Sequence, residues 1–532
     1  ASQAPSANAG KGFKPVAGRH NSRLIHRHFT LSIPAGQGTA IHMPAEQRQS
    51  ESVPTSGSSF QKQLSLWDTV NIIIGIVIGV SIFKLPSLVF GNAGSIEAGF
   101  VIWTLGGLLM LAGALCYAEL ASAIPETGGD YVFLSHTYGN GTGFLFGWAQ
   151  FIAINPGNIG IMSYVFADYA IEFLNASGYE IPEGWSVVLA SASVCILIFL
   201  NLLGLMVGKW AQNILTLAKI IGLAAIVASG LYLGLQGTGE TVVEPVIKSP
   251  NSELHFGLAM VFVLYAFGGW NDAAFVAAEV KEPGKNIPRA LIAGTGGILV
   301  IYLLINLAYL WGLGSTRLLK SSTPAAELLG NAWGDYGTQI ISLIIMISSL
   351  GAINGLIITG SRVNVRLGMD HRFFAALARW NVRVNAPLYS LLSQGVISIV
   401  MIFLVGTETG RRLIDAPFTL IQGDFIKWEQ YQDGFDTLLV ATAPLFWTFF
   451  LLTGLSLIIL RYKAPQMERP FRVPLYPVTP ILFCLTCLYM LYASLEYARG
   501  LALLGLIPVL IGVPLYWMSR RKDRPDSKAN TE

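Results

Sequence analysis

The 532-residue chain is 53% hydrophobic and only 12% charged, with a formal net charge of +3. An ordinary soluble domain carries about 25% charged residues, so composition excludes a soluble fold of this length. The apolar residues fall in runs of roughly twenty, the length a helix needs to cross a ~30 Å hydrocarbon layer.

Residues 1–66 form a different kind of sequence, rich in Ser, Gly, Pro, Gln and Ala, with Lys11, Lys14, Arg19, Arg23 and Arg27 and no acid before Glu46. Such a stretch cannot bury enough surface to fold alone and is expected to be a flexible basic cytoplasmic tail. From Leu66 onward, twelve spans are expected near 67–90, 96–122, 143–173, 186–207, 210–235, 255–279, 288–313, 337–366, 387–405, 438–460, 477–496 and 500–518. They define a transmembrane domain over 67–518 and a short C-terminal tail over 519–532. Lys and Arg concentrate in alternate loops together with both tails, so the positive-inside rule places both termini in the cytoplasm.

In the first span, Asn71-Ile-Ile-Ile-Gly75-Ile-Val-Ile-Gly79-Val80-Ser81 sets two glycines and a serine at mid-membrane. The sixth span carries Tyr265-Ala266-Phe267-Gly268-Gly269-Trp270-Asn271-Asp272 near its middle. Glycine weakens a helix by about 1 kcal/mol relative to alanine, and unwound backbone survives at membrane depth only where it lines a cavity. Matching breaks in two halves point to a transporter's central site, with helix N-termini facing an anionic group and freed carbonyls a cationic one. An amino acid zwitterion offers both charges. The competing reading is close helix packing, since Gly75 and Gly79 have GxxxG spacing. Asn155-Pro156-Gly157-Asn158 in the third span is a further candidate break, and Asn158 a candidate substrate contact.

Lys219 lies ten residues beyond Lys209, about 15 Å deep at 1.5 Å per residue. A lysine there costs at least ~2.5–3.5 kcal/mol on insertion scales, so it is a functional candidate. It reads either as part of a coupling or gating site or as a structural lysine bonded to backbone carbonyls. Glu119 and Glu279, near span ends, read as interfacial anchors, and Asp272 is expected to face the cytoplasmic half of span six. Cys116, Cys195, Cys484 and Cys487 all fall in apolar runs. No nucleophile–base spacing, metal-ligand cluster, cofactor loop or nucleic-acid patch is present, so neither an enzyme nor a metal or cofactor is expected.

Four motifs together resemble the amino acid–polyamine–organocation (APC) transporters, most of all the L-type amino acid transporter (LAT) branch and its bacterial relatives. They are Ile78 to Pro86, Cys116 to Tyr131, Phe267 to Asn271 with Glu279 to Ala290, and Gly351 to Gly355 running on to Ser361-Arg362. The resemblance covers nearly everything from Leu66 to about Tyr516. It implies an all-α LeuT-like fold, with spans 1–5 and 6–10 as inverted repeats, discontinuous helices 1 and 6, and two peripheral helices. It also implies a permease in the cell membrane that carries neutral amino acids by alternating access, as an exchanger or a proton-coupled symporter.

By the same resemblance, the substrate carboxylate meets backbone amides at Gly79, Val80 and Ser81, and the amino group meets carbonyls of Val77, Tyr265, Ala266 and Gly268. Tyr265 is the expected aromatic gate, and Trp270, by its place beside the break rather than by the resemblance, is a second candidate gate, with plain packing as the alternative. Lys219 matches a fifth-span lysine standing where sodium-coupled relatives hold a sodium ion. The family's Gly-Ser-Gly reads Gly79-Val80-Ser81 here, and Gly268 replaces an acid found in carriers of cationic amino acids, which favours neutral substrates. No cysteine lies between spans three and four, so no disulfide-linked heavy chain is expected. An amine or polyamine carrier and a transport-silent sensor on the same fold are the alternatives.

Overall fold

A computed structural model describes residues 51–52, 62–182, 184–237, 256–321, 323–419, 428, 434–498 and 501–519. Most of the expected 1–66 tail and all but Ser519 of the expected C-terminal tail lie outside these residues. Elements α1 (Leu66–Val77), α2 (Ser81–Ala93), α3 (Ile96–Ala123), α4 (Asp130–Tyr138), α5 (Asn140–Ala149) and α6 (Asn155–Ala176) open the helical unit. They are followed by α7 (Trp185–Leu202), α8 (Leu205–Leu235), α9 (Phe256–Ala266), α10 (Pro283–Leu313), α11 (Ser315–Lys320) and α12 (Pro324–Trp333). The unit closes with α13 (Gly337–Asp370), α14 (Leu388–Gly406), α15 (Glu408–Thr419), α16 (Gly434–Lys463), α17 (Val478–Ala498) and α18 (Ala502–Ser519). The described strand structure is one two-residue pairing, Glu51–Ser52 against Trp380–Asn381.

Helix occupies each of the twelve expected ranges. Among the described residues nine helices are long and apolar enough to cross a membrane, and the α1–α2 pair, bent by 56°, makes up to ten. The membrane setting is legible in α8, where Leu217 and Ile221 are 60% and 62% exposed while Lys219 is wholly buried. That inversion of the soluble pattern places lipid outside and the charge inside.

The first break forms because α1 ends without a continuing ladder: the Gly79 amide turns back to the Val77 carbonyl (2.8 Å) and the Phe83 amide to Val80 (3.0 Å). At its other end α1 is fixed by a capping box, the Ser65 hydroxyl accepting from the Asp68 amide and the Asp68 carboxylate from the Ser65 amide. The second break follows α9. Gly269 has φ of +104°, a conformation that costs glycine little, and a Cβ there would come within 2.7 Å of Ile76. The chain then continues as a 3-10 segment, Trp270–Glu279. The two breaks therefore pack directly on each other.

In the third span the expected break at Asn155–Asn158 is corrected. A π-helical turn, Gln150–Ile154, precedes an uninterrupted α6, and Pro156 sits in its first turn, where the missing amide costs nothing. Glu119 and Glu279 are also corrected, since neither is an interfacial anchor and each is 1% exposed. Glu279 makes a two-pronged pair with Arg362 of α13 (2.6 and 2.9 Å). Glu119 accepts from Arg461 (2.9 and 2.6 Å) and from the Val473 amide (2.7 Å), tying α3 to the end of α16 and to the segment between α16 and α17. The connection between the expected spans 387–405 and 438–460 contains α15, and most of its remainder lies outside the described residues.

Candidate functional site

Between the two breaks lies a cavity of about 110 Å³. For scale, a ~150 Å³ engineered cavity accommodates benzene. The first break contributes Ile76, Val77, Gly79 and Ser81, and the second Tyr265, Ala266, Gly268, Gly269 and Asp272. Helix α6 adds Asn158, Ile161 and Met162, α13 adds Leu356, and α16 closes the wall with Thr442, Phe446 and Trp447 among others. Seven of the eight expected substrate-binding residues, Val77, Gly79, Ser81, Tyr265, Ala266, Gly268 and Asn158, thus line one chamber. The eighth, Val80, is buried between Gly79 and Ser81 and is the N-cap of α2.

Beside the side chains of Ser81, Asn158, Asp272 and Thr442, the chamber's polarity comes from backbone. Helix α2 starts at Ser81 with no side-chain cap, so its first amides carry the positive end of the helix dipole. On the opposite side α1 and α9 end in carbonyls. The Tyr302 hydroxyl of α10 lies 3.2 Å from the Val77 oxygen and 3.0 Å from that of Ala266. One hydroxyl hydrogen thus holds two helix ends together; the Ala266 oxygen keeps acceptor capacity, whereas the Val77 oxygen already accepts from the Gly79 amide as well. Trp103 and Phe267, with ring centroids 5.6 and 4.9 Å from that of Tyr302, brace this hydroxyl from behind.

Lys219 is buried and donates to the carbonyls of Gly75 (2.7 Å) and Ile78 (2.5 Å), the same Ile78 oxygen accepting from Ser348 of α13 (2.9 Å). The ammonium thus joins the first break to α8 and α13. Both earlier readings of Lys219 are compatible with this geometry: it bonds backbone carbonyls, and those carbonyls belong to the break. Gly75 also serves the packing reading, because a Cβ there would collide with Gln212.

Trp270 stands away from the chamber lining, packed edge-on to Tyr117 (centroids 5.0 Å) and tilted on Phe450 (5.5 Å). Asp272, read from sequence as facing the cytoplasmic half of span six, lines the chamber. Its position follows from the 3-10 winding after Gly269, which hydropathy does not reveal. The α16 wall was missed as well, because Thr442, Phe446 and Trp447 carry no motif.

Comparison with known proteins agrees with this architecture. A profile of the family described as amino acid permease matches residues 64–517. The human (Homo sapiens) b(0,+)-type amino acid transporter 1 is 29% identical over 450 residues, 85% of this chain and 86% of that protein. The serine/threonine exchanger SteT of Bacillus subtilis (strain 168) is 29% identical over 478 residues, covering 88% and 99%. The Homo sapiens cystine/glutamate transporter is 28% identical over 460 residues, covering 86% and 85%. A multi-pass chain with two facing helix breaks and a family match over most of its length, this protein belongs to the amino acid permease family of APC transporters.

Proposed function

We propose that the chamber binds a small neutral amino acid and that the protein carries it across the cell membrane by alternating access, with both termini cytoplasmic. The fold is then a twelve-span LeuT-like arrangement in which spans 1–5 and 6–10 are inverted repeats. The observation that carries this reading is the pairing of opposite helix ends across one cavity: uncapped amides of α2 for a carboxylate, and the carbonyl ends of α1 and α9, with the Ala266 oxygen the less committed of the two, for an ammonium. Ile161, Met162, Leu356 and Phe446 supply an apolar wall for the side chain, and Gly268 introduces no charge. Tyr265 is the gate in this reading. Lys219 occupies the place of a sodium ion with its own fixed charge and couples the break to α8 and α13, so transport runs without sodium at that point.

The test is counterflow. Purified protein in liposomes preloaded with unlabelled serine, alanine or leucine is exposed to the labelled amino acid, and saturable uptake accelerated by the internal amino acid is expected. Saturable binding with no flux under any gradient would identify a sensor instead. Uptake of polyamines in preference to amino acids would overturn the assigned substrate class.

A further inference from the structure

The chain ahead of α1 is fastened at two places. Next to the helix, Leu64 is buried and pairs through its backbone with the turn that follows the 3-10 segment. Its amide donates to the Glu279 carbonyl (2.9 Å) and its carbonyl accepts from the Lys281 amide (2.9 Å), a parallel bridge opposite Val280. Upstream, Glu51–Ser52 lies antiparallel to Trp380–Asn381 in the loop between α13 and α14, with Glu51 opposite Asn381 and Ser52 opposite Trp380. Asn381 spends its own amide and carbonyl on Ala386 (3.0 and 3.3 Å). Strand alternation then turns the Trp380 amide and carbonyl to the other edge, toward Ser52. Residues 53–61, which join the two attachments, lie outside the described residues.

Both attachments meet at one buried ion pair. Arg362 of α13 holds the Glu279 carboxylate beside the first attachment and stands 5.6 Å over the Trp380 ring of the second. The Trp380 loop also braces α8, the Val384 carbonyl accepting from the Leu205 amide (3.2 Å). Between α1, α8 and α13 runs a crevice lined by Leu64, Asp68, Ile72, Lys209, Gln212 and Ile358, too narrow for a water molecule. Lys209 (3.4 Å) and Asn213 (2.9 Å) close it by holding the Asp68 carboxylate. In the orientation proposed above this is the cytoplasmic mouth, and α1 cannot leave α8 without breaking the Leu64 bridge or taking the Glu279–Lys281 turn with it.

We propose that the chain ahead of α1 is an autoinhibitory strap: docked through Glu51–Ser52, it adds a strand to the loop that braces Arg362 and α8, and so holds the cytoplasmic mouth shut. Leu64 is the fixed end, built into the core, and the Glu51–Ser52 pairing is the end that lets go. A ladder of two residues is marginal by itself, which suits a contact that must release. This rests on the transport reading above and adds a control to it, since the carrier idles while the strap is docked and turns over when it is free.

The test uses the full chain in liposomes, with Cys116, Cys195, Cys484 and Cys487 replaced. Glu51 and Asn381 oppose each other at a position without ladder hydrogen bonds, where Cα atoms lie about 4.5 Å apart, within disulfide reach. Glu51→Cys/Asn381→Cys should cross-link under mild oxidation, read by peptide mapping, and counterflow of labelled serine or alanine should fall to background and return on reduction. Asn381→Cys alone should not respond to the oxidant. Ser52→Pro removes the ladder amide and should raise counterflow about fivefold, the worth of one backbone hydrogen bond. It should also speed reaction of a small thiol reagent with Ile358→Cys in the crevice. Failure to cross-link, cross-linked protein that transports at its reduced rate, or Ser52→Pro with unchanged counterflow and labelling would each overturn the strap and leave the transport reading standing. Absence of counterflow in the parent protein would sink the transport reading, and cross-linking together with Ile358→Cys labelling would still decide the strap.

Discussion

Replacing Lys219 with Met removes both donors to the first break at nearly constant volume. The two carbonyls are not equally exposed to that loss. Ile78 keeps the Ser348 hydroxyl at 2.9 Å, whereas the Gly75 oxygen loses its 2.7 Å partner and, with α1 ending at Val77, no following helical amide replaces it. One buried carbonyl left unpaired costs about 1–3 kcal/mol. Removing a buried ammonium offsets much of this, because charge burial itself carries a penalty of several kcal/mol. Folding should therefore survive, and the cost should appear where the break must hold its shape. At 1.4 kcal/mol per factor of ten, transport efficiency should fall about 5- to 150-fold. Ser348→Ala leaves the Lys219 bond to Ile78 in place and should cost about 1 kcal/mol or less. The double variant should lose more than the sum of the two, since Ile78 is then unpaired as well. Initial uptake rates in proteoliposomes, normalised to protein that elutes as a single species, measure each term. Near-normal uptake by Lys219→Met, or strict additivity in the cycle, would refute the role given to this lysine.

Three further outcomes follow from named contacts. Tyr302→Phe deletes the hydroxyl between Val77 and Ala266 and should raise KM about 5- to 150-fold for a loss of ~1–3 kcal/mol; an unchanged KM would detach Tyr302 from the binding geometry. Arg362→Met strands the Glu279 carboxylate, which is 1% exposed, and should destabilise the protein by about 3–5 kcal/mol, read as a lower Tm in detergent; the double variant with Glu279→Leu should recover most of that loss. In the loop after α3, His136 and the Arg366 guanidinium hold the Glu126 carboxyl down at about 2, against the pull of burial, from an ordinary 4.5. A depressed acid contributes stability above its unfolded value and loses it as pH falls through the folded one, so Glu126 should add an acid-labile component between about pH 4.5 and 2. Glu126→Gln should remove that component from a melting profile against pH, and an identical profile would show that the contact contributes nothing.

Spans were legible because run length and hydropathy report the membrane directly, and the breaks at Gly79 and Gly268–Gly269 because glycines recur mid-span in both halves; glycine alone is not enough, since Gly106–Gly107 and Gly296–Gly297 stand inside unbroken helices. Lys219 was legible for the same reason: a charge ten residues into an apolar run needs a partner. What stayed hidden depends on direction around a helix axis. The positive φ of Gly269 and the 3-10 winding after it rotate Asp272 into the chamber and Trp270 against Tyr117, and no linear pattern encodes that rotation. Glu119 and Glu279 were misread because their arginine partners lie 342 and 83 residues away in sequence. Asn158 lines the chamber, and in place of the break expected around it there is a π turn one step earlier.

The most direct test of a substrate seated between the two breaks is protection of a single reporter in the chamber wall. Thr442 lines the cavity, and its hydroxyl bonds only within its own helix. In a chain with Cys116, Cys195, Cys484 and Cys487 replaced, Thr442→Cys should react with a small thiol reagent. The transported amino acid should slow that reaction saturably, with half-protection at the concentration that half-saturates uptake. Labelling that proceeds at the same rate whether or not the transported amino acid is present would contradict a binding site in this cavity.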